Sequence, residues 1–268
     1  MQVSSEQIEA FQRDGVVCVR GVASTDEVAL VETGIERVLD EPSPLSMVAS
    51  KPGDGLFVED FCNWQRIPEF EQFITTSNAA AIAGGLMQTN VVRLYHDHVL
   101  VKQSQTAQKT PWHQDQPYYN VEGRKNVSMW MPVDPVAREA SLDFVAGSHH
   151  GPWLMPRSFL DGESKWFPAD SLDELPDIDG NRDDYRIVGW ELEPGDAVFF
   201  HMLTLHAAAG VPLRRPRRVL SVRFLGDDMV HAPRPWRTSP PFPGLEDELA
   251  VGAPLDHPLF PILWEAGD

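Results

Sequence analysis

The chain has 268 residues, with 22 Lys and Arg against 40 Asp and Glu, and so a formal net charge of -18 at pH 7. An acidic chain of this kind repels phosphate backbones and anionic bilayers, which excludes nucleic acid and membrane surfaces as expected partners. Apolar residues make up 42%, including 8 Trp and 13 Phe, enough to build a core for one domain spanning 1–268.

Two cysteines, Cys18 and Cys62, supply neither a disulfide framework nor a zinc spacing. No basic segment leads into an apolar run near Met1, and no apolar stretch reaches the roughly 18 residues of a membrane span. The expectation is a reduced, cytoplasmic protein acting on a small molecule.

Residues 5–14 read as a short helix capped by Ser5, with Ile8 and Phe11 on one face, and 16–19 as a strand. Ser24-Thr25-Asp26-Glu27 opens a second helix, which Val28, Val31, Ile35 and Val38 carry to about Leu39. Pro and Gly at 42–55 mark a loop, and 66–88 reads as a helix with an Ala-rich end. From Val91 the period changes to strand-like runs at 91–95, 98–102, 127–133, 142–145, 187–192, 197–205 and 219–225, separated by turns such as Glu193-Pro194-Gly195-Asp196. Helices over 1–90 followed by strands over 91–230 predict a mainly β fold, an antiparallel jelly roll buttressed by N-terminal helices. Two segments depart from that pattern. Residues 151–186 form an acidic insertion, either a solvated loop or a lid over a site. Residues 231–268 form a Pro-rich tail expected to wrap the surface, anchored by Leu259, Phe260, Ile262 and Leu263.

The chemistry concentrates in three places. Pro111-Trp112-His113-Gln114-Asp115 contains His-x-Asp, whose first and third side chains share a face at the end of a strand and can bind one metal ion. Pro194-Gly195-Asp196 opens a long strand through Phe200 and His201 to His206, which shares a face with Val198, Phe200, Met202 and Thr204. Adding His206 completes two imidazoles and one carboxylate. That set suits a non-haem Fe(II) oxygenase, and equally a cupin-like metal hydrolase or isomerase that uses no oxygen. Arg217-Arg218-Val219-Leu220-Ser221-Val222-Arg223-Phe224 separates the two readings. Arg217, Ser221 and Arg223 share one face and demand a polar or ionic ligand inside the barrel, while Leu220, Val222 and Phe224 face helices or a second sheet. A guanidinium there suits a carboxylate such as the distal one of 2-oxoglutarate.

With these residues in place the sequence resembles the phytanoyl-CoA dioxygenase family of Fe(II)/2-oxoglutarate-dependent oxygenases. The resemblance rests on Thr110-Pro111-Trp112-His113-Gln114-Asp115, Phe144-Val145-Ala146-Gly147-Ser148-His149, Pro194-Gly195-Asp196 with Phe200-His201 and His206, and Pro216-Arg217-Arg218. It covers nearly the whole chain and implies a double-stranded β-helix. It also implies His113, Asp115 and His206 as iron ligands, with 2-oxoglutarate and O2 consumed and succinate and CO2 formed as a substrate C–H bond is oxidised, most simply by hydroxylation.

Arg217 takes the place of the family's 2-oxoglutarate arginine, with Arg218 as fallback if the strand is bulged. Trp130 matches a family tryptophan near the cosubstrate, and Lys102 resembles a lysine on the preceding strand. The chain departs from the family at Ala208, where a Ser is usual, and lacks the usual Asn in Ala207-Ala208-Ala209-Gly210, so Ser221 is the candidate replacement hydroxyl. Related halogenases lack the carboxylate that Asp115 provides, which disfavours halogenation. Among the remaining histidines, His149 and His150 read as a structural corner, and His96 and His98 as surface residues on one strand face. Tyr118, Tyr119 and Trp153 are candidates for the substrate border.

Overall fold

The computed structural model describes residues 2–267 apart from 52, 54, 105, 107, 157–166, 169 and 211–214. The chain opens with α1 (Ser5–Asp14), which ends at Gly15 in the left-handed region at φ 72. Ser4, not Ser5, caps this helix. Its hydroxyl accepts from the Gln7 N–H while the Gln7 side chain accepts from the Ser4 N–H, leaving Ser5 as the first helical residue. Then come β1 (Val16–Val19) and α2 (Thr25–Asp40), the latter capped reciprocally by Ser24 and Glu27. A hairpin of β2 (Met47–Val48) and β3 (Phe57–Phe61) follows.

The helix expected over 66–88 is two helices, α3 (Pro68–Thr76) and α4 (Ala79–Met87). Ser77 is extended between them, and the hydroxyls of Thr75 and Thr76 bond back to the carbonyls of Glu71 and Gln72 in the last turn of α3.

The strands expected at 91–95 and 98–102 form one continuous element, β4 (Val91–Lys102). The apparent break has a cause. β4 carries an extra residue opposite the Arg223–Phe224 step, so the inward–outward alternation slips there and Val92 and Leu94 share the outer face with Val99 and Val101. Asp97 stays in the strand because its carboxylate accepts the backbone N–H groups of Asn63 and Trp64 at 3.0 and 2.9 Å.

Beyond it lie β5 (Thr110–His113), β6 (Val121–Glu122), β7 (Asn126–Pro132), β8 (Leu142–Val145), β9 (Ile187–Val188), β10 (Ala197–Phe200), β11 (His206–Ala208), β12 (Arg217–Leu225) and β13 (Val230–His231). The tail adds α5 (Leu245–Glu248) and β14 (Ile262–Glu265). The strand expected over 187–192 thus stops at Val188, with Leu192 only bridging Val136.

The large sheet runs β1-β10-β7-β12-β4-β3-β2 with β14 also on β4. The small sheet runs β5-β11-β8-β9, and every pairing is antiparallel. Two facing sheets buttressed by N-terminal helices make the expected jelly roll. Strand β12 shows the division of its faces. Leu220, Val222 and Phe224 enter the core beneath the four N-terminal helices, whereas Arg217, Val219, Ser221 and Arg223 point between the sheets. In the tail, Phe260 is fully buried and Leu263 packs on the helical core, but Ile262 is exposed and anchors nothing. Residues 157–166 and 169 of the stretch expected as an acidic insertion lie outside the described residues. Of the remainder, Phe167 and Ile178 are buried. No helix among the described residues is long and apolar enough to cross a membrane.

Candidate metal centre and adjoining cavity

His113 ends β5 and His206 begins β11, and the two are directly paired across the small sheet. Their rings lie 4.1 Å apart between centroids. Each imidazole is fixed in the same way: Nδ1–H donates to the carbonyl two residues upstream, Pro111 for His113 at 2.8 Å and Thr204 for His206 at 3.0 Å. A carbonyl only accepts, so Nδ1 carries the proton and Nε2 presents its lone pair. Burial lowers the His206 pKa against the opposing pull of Asp115, which keeps the ring neutral and suited to ligate.

Asp115 lies just past β5, in helical backbone conformation, its N–H donating to the Met202 carbonyl at 2.7 Å. Its Oδ1 sits 3.8 Å from His113 Nε2 and 3.7 Å from His206 Nε2. Its Oδ2 accepts from Ser128 Oγ at 2.8 Å and from Arg223 Nη2 at 3.1 Å. Burial favours the neutral acid, but the Arg223 guanidinium, aided by the Ser128 hydroxyl, wins and holds the carboxyl well below its usual range. The three ligand atoms lie within 4.8 Å of one another, all on buried residues. Two neutral imidazole nitrogens and one ionised carboxylate oxygen are the donor set a divalent transition metal requires.

The strand expected over 197–205 does not run through to His206. The chain leaves the large sheet at Phe200 and turns where His201 Nδ1 accepts the Leu203 N–H and Thr204 Oγ1 donates to the Gly15 carbonyl. It then re-enters the small sheet. Phe200 and His206 do meet, at 4.6 Å between centroids, but across the gap between sheets and not along one strand face.

A cavity of about 290 Å³ opens from the triad between the sheets. Trp130 and Arg217 line it, as do Tyr118 and Tyr119; Lys102, Ser221 and Trp153 do not. Arg217 is buried beside Trp130, with its guanidinium carbon 5.4 Å from the ring centroid, and it donates to the Ala140 carbonyl. Burial brings its pKa down to about 10. Lys102 is its direct neighbour on β4, and its ammonium donates to the Gln108 carbonyl at 2.6 Å. Burial, and secondarily Arg217, brings that amine down to about 7. Arg218 faces the other way and is committed to Asp134 and Glu32.

Ser221 is enclosed: its hydroxyl donates to the Met129 carbonyl and accepts from Arg223 Nη1, both at 2.6 Å. Trp153 instead stacks beneath Arg234. His149 is a buried corner against Gln12 and His201.

The expectation that His96 and His98 are surface residues is wrong: they are 1% and 6% exposed. They lie on the inward face of β4, hydrogen-bonded to β12 on one side and, at His98, to β3 on the other. His98 lines the cavity beside Glu59. Glu59 and Ser128 carried no sequence signal. Only the alternation of Phe57, Glu59 and Phe61 on one face of β3 would have aimed the acid inward.

The sequence profile of the phytanoyl-CoA dioxygenase family, PhyH, matches residues 11–219. Dioxygenase FrzG of a Cladobotryum species is 23% identical over 238 residues, covering 81% of this chain and 72% of FrzG. Among solved structures, the non-haem alpha-ketoglutarate-dependent carbocyclase SnoK from nogalamycin biosynthesis superposes with a TM-score of 0.75 at 22% identity, over 97% of this chain and 96% of SnoK. The epimerase SnoN in complex with Fe3+, alpha-ketoglutarate and nogalamycin RO gives 0.75 at 23%, over 96% and 97% of the two chains. At these identities the likeness in structure is a likeness of fold.

Proposed function

The chain belongs to the phytanoyl-CoA dioxygenase family of Fe(II)/2-oxoglutarate-dependent dioxygenases, and on that premise we propose that it hydroxylates an unactivated C–H bond of a small, largely apolar metabolite, such as a natural-product intermediate. The observation that carries this reading is the convergence of His113 Nε2, His206 Nε2 and Asp115 Oδ1 at one cavity that also holds the buried guanidinium of Arg217. SnoK and SnoN, both from nogalamycin biosynthesis, support the substrate class.

The three ligand atoms would hold Fe(II), at which O2, reduced with electrons from 2-oxoglutarate as that is cleaved to succinate and CO2, would supply the oxidising power that breaks the C–H bond and the oxygen atom of the new hydroxyl. Arg217, held on Trp130, would receive the far carboxylate of 2-oxoglutarate, with Lys102 its neighbour on β4 outside the cavity wall. Ser221 acts indirectly, by holding Arg223 against Asp115. Phe57, Phe61, Leu100 and Phe200 exclude water from the reacting carbon. A CoA thioester is a poor fit, since the two arginines that line the cavity have other partners: Arg223 is held by Asp115, and Arg217 is assigned to the cosubstrate.

Anaerobic addition of Fe(II) and 2-oxoglutarate should produce a weak visible charge-transfer band, absent in His113→Ala. A substrate panel should contain compounds that stimulate succinate formation. No band in the wild type, together with no stimulated succinate, overturns the assignment.

A further inference from the structure

The inward face of β3 presents Phe57, Glu59 and Phe61 to the cavity. Glu59 is 4% exposed. The other buried acids nearby each accept hydrogen bonds from two residues. Asp60 accepts from Ser43 and Asn63, Asp97 from Asn63 and Trp64, and Asp115 from Ser128 and Arg223. Glu59 has no close donor among the described residues, its polar neighbour being His98 Nε2 at a long 3.4 Å. That nitrogen is itself buried without a hydrogen-bond partner. His98 cannot swing away, because its ring is stacked on Phe61 at 4.0 Å between centroids.

A buried carboxylate with unused lone pairs is strongly disfavoured unless a donor reaches it. Here the open side is the cavity. Around Glu59 the wall is apolar, formed by Phe57, Phe61 and Leu100, and the mouth is rimmed by Met47 and Val48, 45% and 57% exposed. An occupant therefore needs an apolar body and one donor. An anionic group in the same place meets Glu59 head on.

We propose that Glu59, braced by His98, is the substrate-recognition group of this cavity: it receives a hydroxyl or ammonium donor carried on an otherwise apolar molecule and rejects a carboxylate. The proposal deepens the oxygenase reading and rests on it for the term substrate, but its test does not require turnover. The charge-assisted hydrogen bond should favour a donor over its donor-free analogue by about 10- to 100-fold.

Four matched probes suffice: naphthylmethanol, naphthylmethylamine, naphthoate and methylnaphthalene. Equilibrium dialysis against the full chain with Fe(II) and 2-oxoglutarate under argon, so that Arg217 is occupied, should retain the alcohol and the amine at least tenfold better than the other two. The amine against the alcohol distinguishes an ammonium from a hydroxyl partner. Glu59→Gln should lose the preference for the amine and keep a weaker one for the alcohol, and Glu59→Leu should lose both. Without any probe, both variants should melt at higher temperature than the wild type, because a buried acid without a close donor has been removed.

Naphthoate retained as well as the alcohol, or a preference that survives Glu59→Leu, overturns the proposal. So does a fall in melting temperature of both variants, which would mark Glu59 as a structural partner of His98. A donor preference in the absence of any charge-transfer band would defeat the oxygenase reading and leave this one standing. A band without the preference would do the reverse.

Discussion

Arg223 Nη2 lies 3.1 Å from Asp115 Oδ2, with both residues about 5% exposed, and this contact turns the other carboxylate oxygen toward the two imidazoles. Ser221, Tyr119 and Asp115 together occupy the guanidinium. Arg223 is thus a positioning residue that aims a ligand without being one. Arg223→Leu should leave Asp115 buried with one donor fewer, lower iron affinity by about 10- to 100-fold and destabilise the fold by about 3–5 kcal/mol. Arg223→Lys should recover part of the iron affinity. Iron stoichiometry by dialysis alongside thermal melts checks this, and full iron binding by the leucine variant would contradict it.

The two adjacent arginines of β12 should separate cleanly. Arg217→Leu should raise the KM for 2-oxoglutarate at least about tenfold, by loss of a bidentate carboxylate partner. Arg218→Leu should leave that KM in place and cost about 1 kcal/mol of stability through its partly exposed pairs with Asp134 and Glu32. Succinate-release kinetics and melting curves measure both, and a KM effect confined to Arg218 would reverse the assignment.

Lys102 gives a pH signature. Its amine is held near 7 in the fold against an ordinary value of 10.5, chiefly by burial. Between those values the unfolded chain binds more protons than the native one, so this residue makes stability rise as pH increases from about 7 to about 10. Its full cost is present below pH 7. Lys102→Met should remove that rise and stabilise the protein at pH 6 by on the order of 2–4 kcal/mol. Urea titrations of both proteins across that range test it, and parallel stability curves would refute it.

Gly15 ties the first helix to the metal loop. Its φ is 72, its carbonyl accepts from His201 N–H and Thr204 Oγ1, and a Cβ there would collide with His149 and Thr204. Gly15→Ala should cost about 2–4 kcal/mol from left-handed strain and overpacking. It should also weaken iron binding by displacing the turn before His206. Unchanged stability would show that the corner can yield.

The order of elements and the triad were legible because they depend on local pattern. The helices of 1–90 announce themselves by caps and apolar spacing, and His113, Asp115 and His206 are picked out of nine histidines and many acids by the ordered motifs that resemble the family. Three of the misreadings, all around the site, share one cause. The split of β4, the uninterrupted strand to His206 and the surface placement of His96 and His98 all assumed that alternation persists and that polar residues face water. A bulge at the Arg223–Phe224 step, a change of sheet after Phe200 and a strand covered on both faces broke those assumptions.

By itself the sequence determined which side chains of β12 oppose each other, because strand parity is a property of consecutive residues. That sufficed to separate Arg217 and Arg223 from Leu220 and Phe224. Only the tertiary structure decided what each inward group meets: Arg217 the cavity, Arg223 a ligand carboxylate, Ser221 a carbonyl, and Glu59 a neutral imidazole and open space. The last three partners lie 39 to 108 residues away along the chain, and nothing in a local pattern encodes which strand will lie beside which.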